Sequence, residues 1–313
     1  MDAMRNKRVH RGYKPLTGMK QKQLWLAFFF LFAACTAEER SDCPQPVELS
    51  LQVVDVAGDD ITEEGAVETL SLYIFDNGQR FLKSLETRVG ESLSLYFPDQ
   101  DTLHVVSWGN LSSEHQQLPQ LAAGTPMSEA IIRLIETSPP GRATTTRSTV
   151  DSPDDLFYSY DVISLQSGTE TSHKLQMNRT VGSMAVTLRN LQSYANRYDE
   201  HYSLLVRETY DAIDFYGRLT GNKAAYRPTA AFNEQQELVA PLFNLLPSHA
   251  EGNIEIDVYH QNDLITTVKN DSDGRPLRVL RGQVLNVLVD FKREASVEVS
   301  ITPWGETQVW KEF

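Results

Sequence analysis

The stretch TLSLYIFDNGQRFLKSL, residues 69–85, places two β-rich runs on either side of Asn77-Gly78. Asn-Gly between such runs is the strongest short-range hairpin signal, because both residues tolerate the positive φ that a tight two-residue turn demands. Strand patterns extend outward from this hairpin in both directions. VELSLQVVDV (47–56) alternates Val47, Leu49, Leu51 and Val53 with polar residues, and ESLSLYFP (91–98) and TLHVVSW (102–108) follow the hairpin. Short strands at close spacing indicate a sandwich or barrel. Ser128–Glu136 has helix formers and is expected as a short helix. TSPPGRATTTRSTVDSPDD (137–155) has little to bury and is expected as a loop.

Beyond it, HKLQMNRTVGSMAVTLRNL (173–191) nearly keeps alternation through Leu175, Met177, Val181, Met184, Val186 and Leu188, with a phase slip near Gly182. Such a slip marks a bulge or bend, and this run is expected to leave one domain and open the next. YSLLVRETY (202–210), ELVAPLFNLLPS (237–248), NIEIDVYH (253–260), DLITTVKN (263–270), RVLRGQVLNVLVDFK (278–292) and ASVEVSITPWGETQVWKEF (295–313) continue the β pattern. The expected fold is all-β, with two tandem β-sandwich domains at 44–174 and 175–313.

The first residues differ in kind. Leu24–Ala34 is an eleven-residue, almost wholly apolar run that follows seven basic residues and meets Cys35. A membrane-spanning helix needs about 20 apolar residues, so the run is too short for a span. A basic region, a short apolar region and the small pair Ala33-Ala34 match an export signal at 1–34. Phe32-Ala33-Ala34-Cys35 resembles a bacterial lipobox, with Phe32 where leucine is usual. In that reading the chain is cut between Ala34 and Cys35, and the Cys35 thiol carries acyl chains. Residues 35–43 form an acidic tether, and Glu38 and Glu39 resemble a signal for export to the outer face of the outer membrane. Met19 offers an alternative start.

From Cys35 onward, 22 basic residues face 41 acidic ones, a net charge of −19. Such a surface repels phosphate backbones and argues against nucleic-acid binding. With Cys35 acylated, Cys43 has no partner within the chain, so the fold rests on its core and not on disulfides.

Catalytic and metal signatures are missing. There is no G-x-S-x-G, H-E-x-x-H, C-x-x-C or Walker loop. NDSDGRP (270–276) fails as a calcium loop because Lys269 and Leu280 would occupy ligand positions. It reads as a hairpin turn. The acids of GDDITEEG (58–65) read as a solvated face. The expectation is a protein without enzyme activity, cofactor or metal.

The order of motifs carries a resemblance. After the lipobox come DCPQPVELSLQV, LSLYIFDNGQRF, LHVVSWGN, LQMNRTVGSMAVTL, VLRGQVLNVLVDF and VSITPWGETQVW. The chain resembles fimbrium anchoring subunits of the FimB type, in the fimbrillin-associated anchor family of Bacteroides-type bacteria. The likeness covers nearly all of the chain after Cys35, and is thin over 111–170. It implies transthyretin-like sandwiches, a surface-exposed outer-membrane lipoprotein at the fimbrium base, and fimbrillin stalk subunits as partners. It further implies attachment of the fimbria to the cell and limitation of its length.

Stalk subunits of such systems lose their first strand to an arginine-specific protease. Here no arginine or lysine lies between Ser41 and Gln79, so the first strand is expected to stay. The C-terminal Val309, Trp310 and Phe313 are candidate partner-binding residues through strand addition. A surface glycan-binding lipoprotein is the alternative, with Trp108, Trp304 and Trp310 as its sugar platforms.

Overall fold

β1 (Val47–Val54) places Val47, Leu49 and Val53 in a core while Glu48 and Ser50 stay exposed. The computed structural model describes residues 46–91, 93–137, 149–166, 171–248, 253–292, 296–306, 308 and 310. The 69–85 stretch forms its hairpin from β2 (Thr69–Phe75) and β3 (Phe81–Arg88). Its turn is held by the Asp76 carboxylate, which accepts from the N–H groups of Gly78 and Arg80, both at 2.8 Å. β4 (Leu93–Leu95) is short, and β5 (Thr102–Gly109) returns alongside β2.

The next segment departs from expectation. β6 (Gln116–Gln117) and β7 (Ile131–Leu134) pair with each other. The helix expected at 128–136 is absent: Met127–Glu129 makes one 3-10 turn, and β7 follows at once. β8 (Glu136–Thr137) and β9 (Thr149–Val150) flank residues 138–148, which lie outside the described residues. β10 (Phe157–Ser164) and β11 (Ser172–Arg179) complete the first sheet, a seven-stranded array ordered β3-β2-β5-β10-β11-β1-β4. All its pairs are antiparallel except β1 with β11, which run parallel.

The chain changes sheets at Thr180 and Val181, between β11 and β12 (Gly182–Arg189). A five-residue helix α1 (Leu191–Ala195) leads to the long β13 (Tyr202–Asp214) and its partner β14 (Leu219–Tyr226). β15 (Ala231–Phe232), β16 (Leu238–Leu245), β17 (Glu255–His260), β18 (Asp263–Val268), β19 (Gln283–Asp290) and β20 (Ser296–Pro303) follow. β17 and β18 form the hairpin expected through Gln261-Asn262. The second sheet runs β15-β16-β12-β19-β20, and the third runs β18-β17-β13-β14-β9-β8, with β7 added to the end of β13.

Three cores hold these sheets. The inner face of the first sheet closes over Leu72, Ile74, Leu103, Val105, Leu175 and Met177. The second and third sheets enclose Val186, Leu188, Leu204, Val206, Ile256 and Val287. The third core is aromatic. Tyr73 and Phe75 of β2 and Val106 and Trp108 of β5 point away from the first core and meet Ile132 of β7 and Phe215 just after β13. β2 and β5 are therefore buried on both faces. Phe215 packs edge-on to Tyr73, with ring centroids 4.8 Å apart, and its carbonyl accepts from the Tyr158 hydroxyl at 2.9 Å. Residues 44–313 form one contact-linked unit.

Candidate interaction site

β1 is built firmly into the first sheet. Seven residue pairs, Glu48↔Ser172 to Val54↔Asn178, fix it to β11. Val47, Leu49 and Val53 sit in the first core, and burying each contributes about 1.5–3 kcal/mol. Its outer edge is partly closed. β4 pairs with Val47–Leu49, the Ile61 N–H donates to the Val53 carbonyl at 2.9 Å, and the Thr62 hydroxyl accepts from the Val53 N–H at 2.8 Å. Three side-chain hydrogen bonds support this turn: Thr62 donates from both its hydroxyl and its N–H to Asp60, and Gln52 donates to it as well. They hold the Asp60 carboxyl below its usual pKa. A cavity of about 470 Å³ opens beside β1, with Leu49 and Leu51 on one wall and Thr87–Glu91, at the end of β3, on another. The two ends of the first sheet thus curl toward each other and leave a seam.

The C-terminal strand is an edge. β20 pairs with β19 over eight residues, and among the described residues no strand covers its other side. The Ser272 hydroxyl blocks one position there, donating to the Val297 carbonyl at 2.9 Å and accepting from its N–H at 2.7 Å. After β20 the chain folds back. The Gln308 N–H donates to Asn286 of β19 at 3.1 Å, and Arg189 of β12 donates to the Trp310 carbonyl at 3.5 Å. Trp310 is thereby placed against the second sheet. Val309 and Phe313 lie outside the described residues, as do Ala34, Cys35, Glu38, Glu39 and Cys43.

Arg179 joins the start of β10 to the segment after β20. It closes β11, where the chain changes sheets. Its guanidinium lies 4.5 Å from the Phe157 ring and 4.2 Å from the Trp304 ring, and donates twice to Asp155 at 2.6 and 2.9 Å. Burial raises the Asp155 carboxyl above its usual pKa, and the guanidinium opposes that rise. Nothing in the alternating pattern of 173–191 announced this residue. Its role depends on Trp304, far away in sequence.

The tryptophans do not assemble a sugar platform. Trp108 is fully buried in the aromatic core, and Arg179 stacks on the Trp304 ring. The described histidines engage neighbours. His104 lies 2.6 Å from the Tyr160 hydroxyl, His173 pairs with Asp161 at 3.2 Å, and His260 lies 2.7 Å from Asp199 and 2.9 Å from Arg197. The His201 N–H, together with His260, lowers the Asp199 carboxyl to about 2. Among the described residues no three His, Cys, Asp or Glu side chains converge as metal ligands.

Comparison with known proteins agrees with this architecture. The family model described as "Fimbrillin-A associated anchor proteins Mfa1 and Mfa2" matches residues 40–310. "Major fimbrium anchoring subunit FimB" of Porphyromonas gingivalis is 25% identical over 297 residues, covering 90% of this chain and 94% of that protein. A second protein of that name and species is 24% identical over the same length. Among solved structures, the fimbrial anchor protein Mfa2 from Porphyromonas gingivalis superposes with a TM-score of 0.62 at 14% identity, covering 84% of this chain and 98% of that one. An adhesin-like protein from Bacteroides ovatus gives 0.60 at 13% identity, covering 84% and 96%. A match of this extent bears out the resemblance read from the motif order: the chain belongs to the family of fimbrillin-A-associated anchor proteins, which act in fimbrium anchoring and not as enzymes.

Proposed function

We propose that this chain is a lipid-anchored outer-membrane subunit that attaches fimbriae to the cell surface and limits their length by ending the fimbrillin polymer. Acyl chains on Cys35 hold it in the membrane. Each buried methylene contributes about 0.8 kcal/mol, so two or more chains make a stable anchor. Cleavage between Ala34 and Cys35 frees the mature N-terminus, and Glu38 and Glu39 direct it to the outer surface. Beyond the tether the chain works as two transthyretin-like sandwiches, one built on the first sheet and one on the second and third sheets, joined through the aromatic core. Its partners are stalk fimbrillins, with Val309, Trp310 and Phe313 on the candidate contact segment.

The observation that carries this reading is the permanence of β1. The strand is built into the first core and paired along its length with β11, and no arginine or lysine lies between Ser41 and Gln79. An arginine-specific protease therefore has no site at which to remove it after the strand. A subunit that keeps both its first strand and its lipid occupies the end of a polymer. The test is Cys35→Ala in the native cell. Release of the protein from the membrane together with shed or lengthened fimbriae is the expected result. Release with fimbriae still attached at normal length overturns the anchoring role.

A further inference from the structure

Among the described residues, the outer edge of β1 has a gap. In a β-strand the N–H and C=O of one residue point to the same side, and alternate residues face alternate neighbours. Glu48 donates toward the β11 side, to the Thr171 carbonyl at 2.7 Å, while Val53 faces outward to Ile61 and Thr62. Odd-numbered residues of β1 therefore face away from β11. Val47 and Leu49 meet β4, and Val53 meets the 61–62 turn. Leu51 lies between them, and among the described residues its outward N–H and C=O have no partner.

These two groups face the seam, where the 470 Å³ cavity is lined on its apolar side by Leu51, Leu70, Val89 and Leu93. The volume suits one or two apolar side chains. The charged lining holds the carboxylates Glu48, Glu63 and Glu91 against one base, Arg88. The turn beside it adds Asp55, Asp59, Asp60 and Glu64. Two other strand-edge positions are filled by serine hydroxyls. Ser272 fills the backbone groups of Val297, and the Ser152 hydroxyl does the same for Asn244, donating to its carbonyl at 2.7 Å and accepting from its N–H at 3.0 Å.

We propose that this seam is the docking groove for an extended segment of a fimbrillin subunit, in which an apolar residue enters the cavity beside Leu51 and flanking Lys or Arg residues meet Glu63 and Glu91. This rests on the fimbrillin-binding reading above. A free N–H and C=O pair selects an extended backbone, the apolar cavity selects a hydrophobic side chain, and the acidic rim selects a basic flank. β1 stays in place throughout. The partner adds to its edge and does not replace it.

The test uses the full chain purified in detergent and purified stalk fimbrillin as the probe. A photo-reactive phenylalanine is placed at Val89, and separately at Tyr194 on α1 as a remote control. Cross-linking to fimbrillin from position 89 and not from 194 is expected. In parallel, the Glu63→Lys/Glu91→Lys double variant should weaken fimbrillin binding by about tenfold or more, mostly at low salt, with an unchanged circular dichroism spectrum. Fimbrillin binding with no cross-link from 89 and no loss in the double variant overturns the groove while leaving the anchoring reading intact. Absence of any fimbrillin binding by the unmodified chain overturns both.

Discussion

Arg179→Met removes the group on which three parts of the molecule converge. The guanidinium is buried between the Phe157 and Trp304 rings and makes both of its bonds to Asp155 there. Removing one partner of a buried pair costs about 3–5 kcal/mol, because the other charge stays behind. Two ring contacts of about 1 kcal/mol each put the loss in the upper half of that range. With a urea m-value of about 3 kcal/mol per molar for a chain of this size, the midpoint falls by about 1.5 M.

The loss depends on pH with a definite sign. Burial already raises the folded-state pKa of Asp155 above its unfolded value. Stability contributed by such a group is present below the unfolded pKa and is lost as pH rises through the folded pKa. Without Arg179 the folded pKa rises further, so the variant suffers more at pH 7 than at pH 5. Asp155→Asn combined with Arg179→Met should recover more than half of the loss at pH 7. Urea titration of the single and double variants at both pH values measures this. An equal loss at both pH values with no recovery in the double variant refutes the buried-pair account.

Other outcomes follow from the same structure. Phe215→Ala empties the centre of the aromatic core and should destabilise by about 3–5 kcal/mol in denaturant titration. Gly182→Ala would put a Cβ 2.3 Å from Val279 Cγ1 and 2.5 Å from the Leu280 carbonyl oxygen. A loss of about 1–3 kcal/mol, read as a lowered thermal midpoint, is expected. Digestion of the native protein with an arginine-specific protease should leave residues 41–79 on one fragment, since none of them is arginine. Mass spectrometry of the products reads this directly.

Much of the fold was legible where the signal is local. The Asp76 carboxylate closes the turn at Asn77-Gly78, and Gln261-Asn262 joins two strands adjacent in sequence. The phase slip near Gly182 marks the change of sheet because Gly182 packs against the Leu280 carbonyl, where a side chain would not fit. The failures were non-local. Residues 131–134 became strand because Ile131, Ile132 and Arg133 pair with Asp214, Ile213 and Ala212 of β13, a tertiary contact that overrides helix propensity. The aromatic core left a trace in the unbroken apolar run LYIF, since continuous runs mark strands buried on both faces. The hairpin signal beside it absorbed that run. The candidate site was legible only as an absence of basic residues after β1. The gap at Leu51 depends on how far β4 and the 61–62 turn reach, which no sequence pattern expresses.

The parallel pairing of β1 with β11 also sets an order of events. Glu48 finds its partner only at Ser172, so a chain that emerges N-terminus first carries an unseated apolar strand until most of the first sheet has been delivered. Closing so long a loop adds little to the entropy cost, because that cost grows only with the logarithm of length. It does slow assembly, since non-local pairs wait for the chain between them. β1 is thus secured only once β11 has been delivered. A product truncated before β11 would leave Val47, Leu49 and Val53 without their β11 partner strand, and such a fragment is an aggregation hazard.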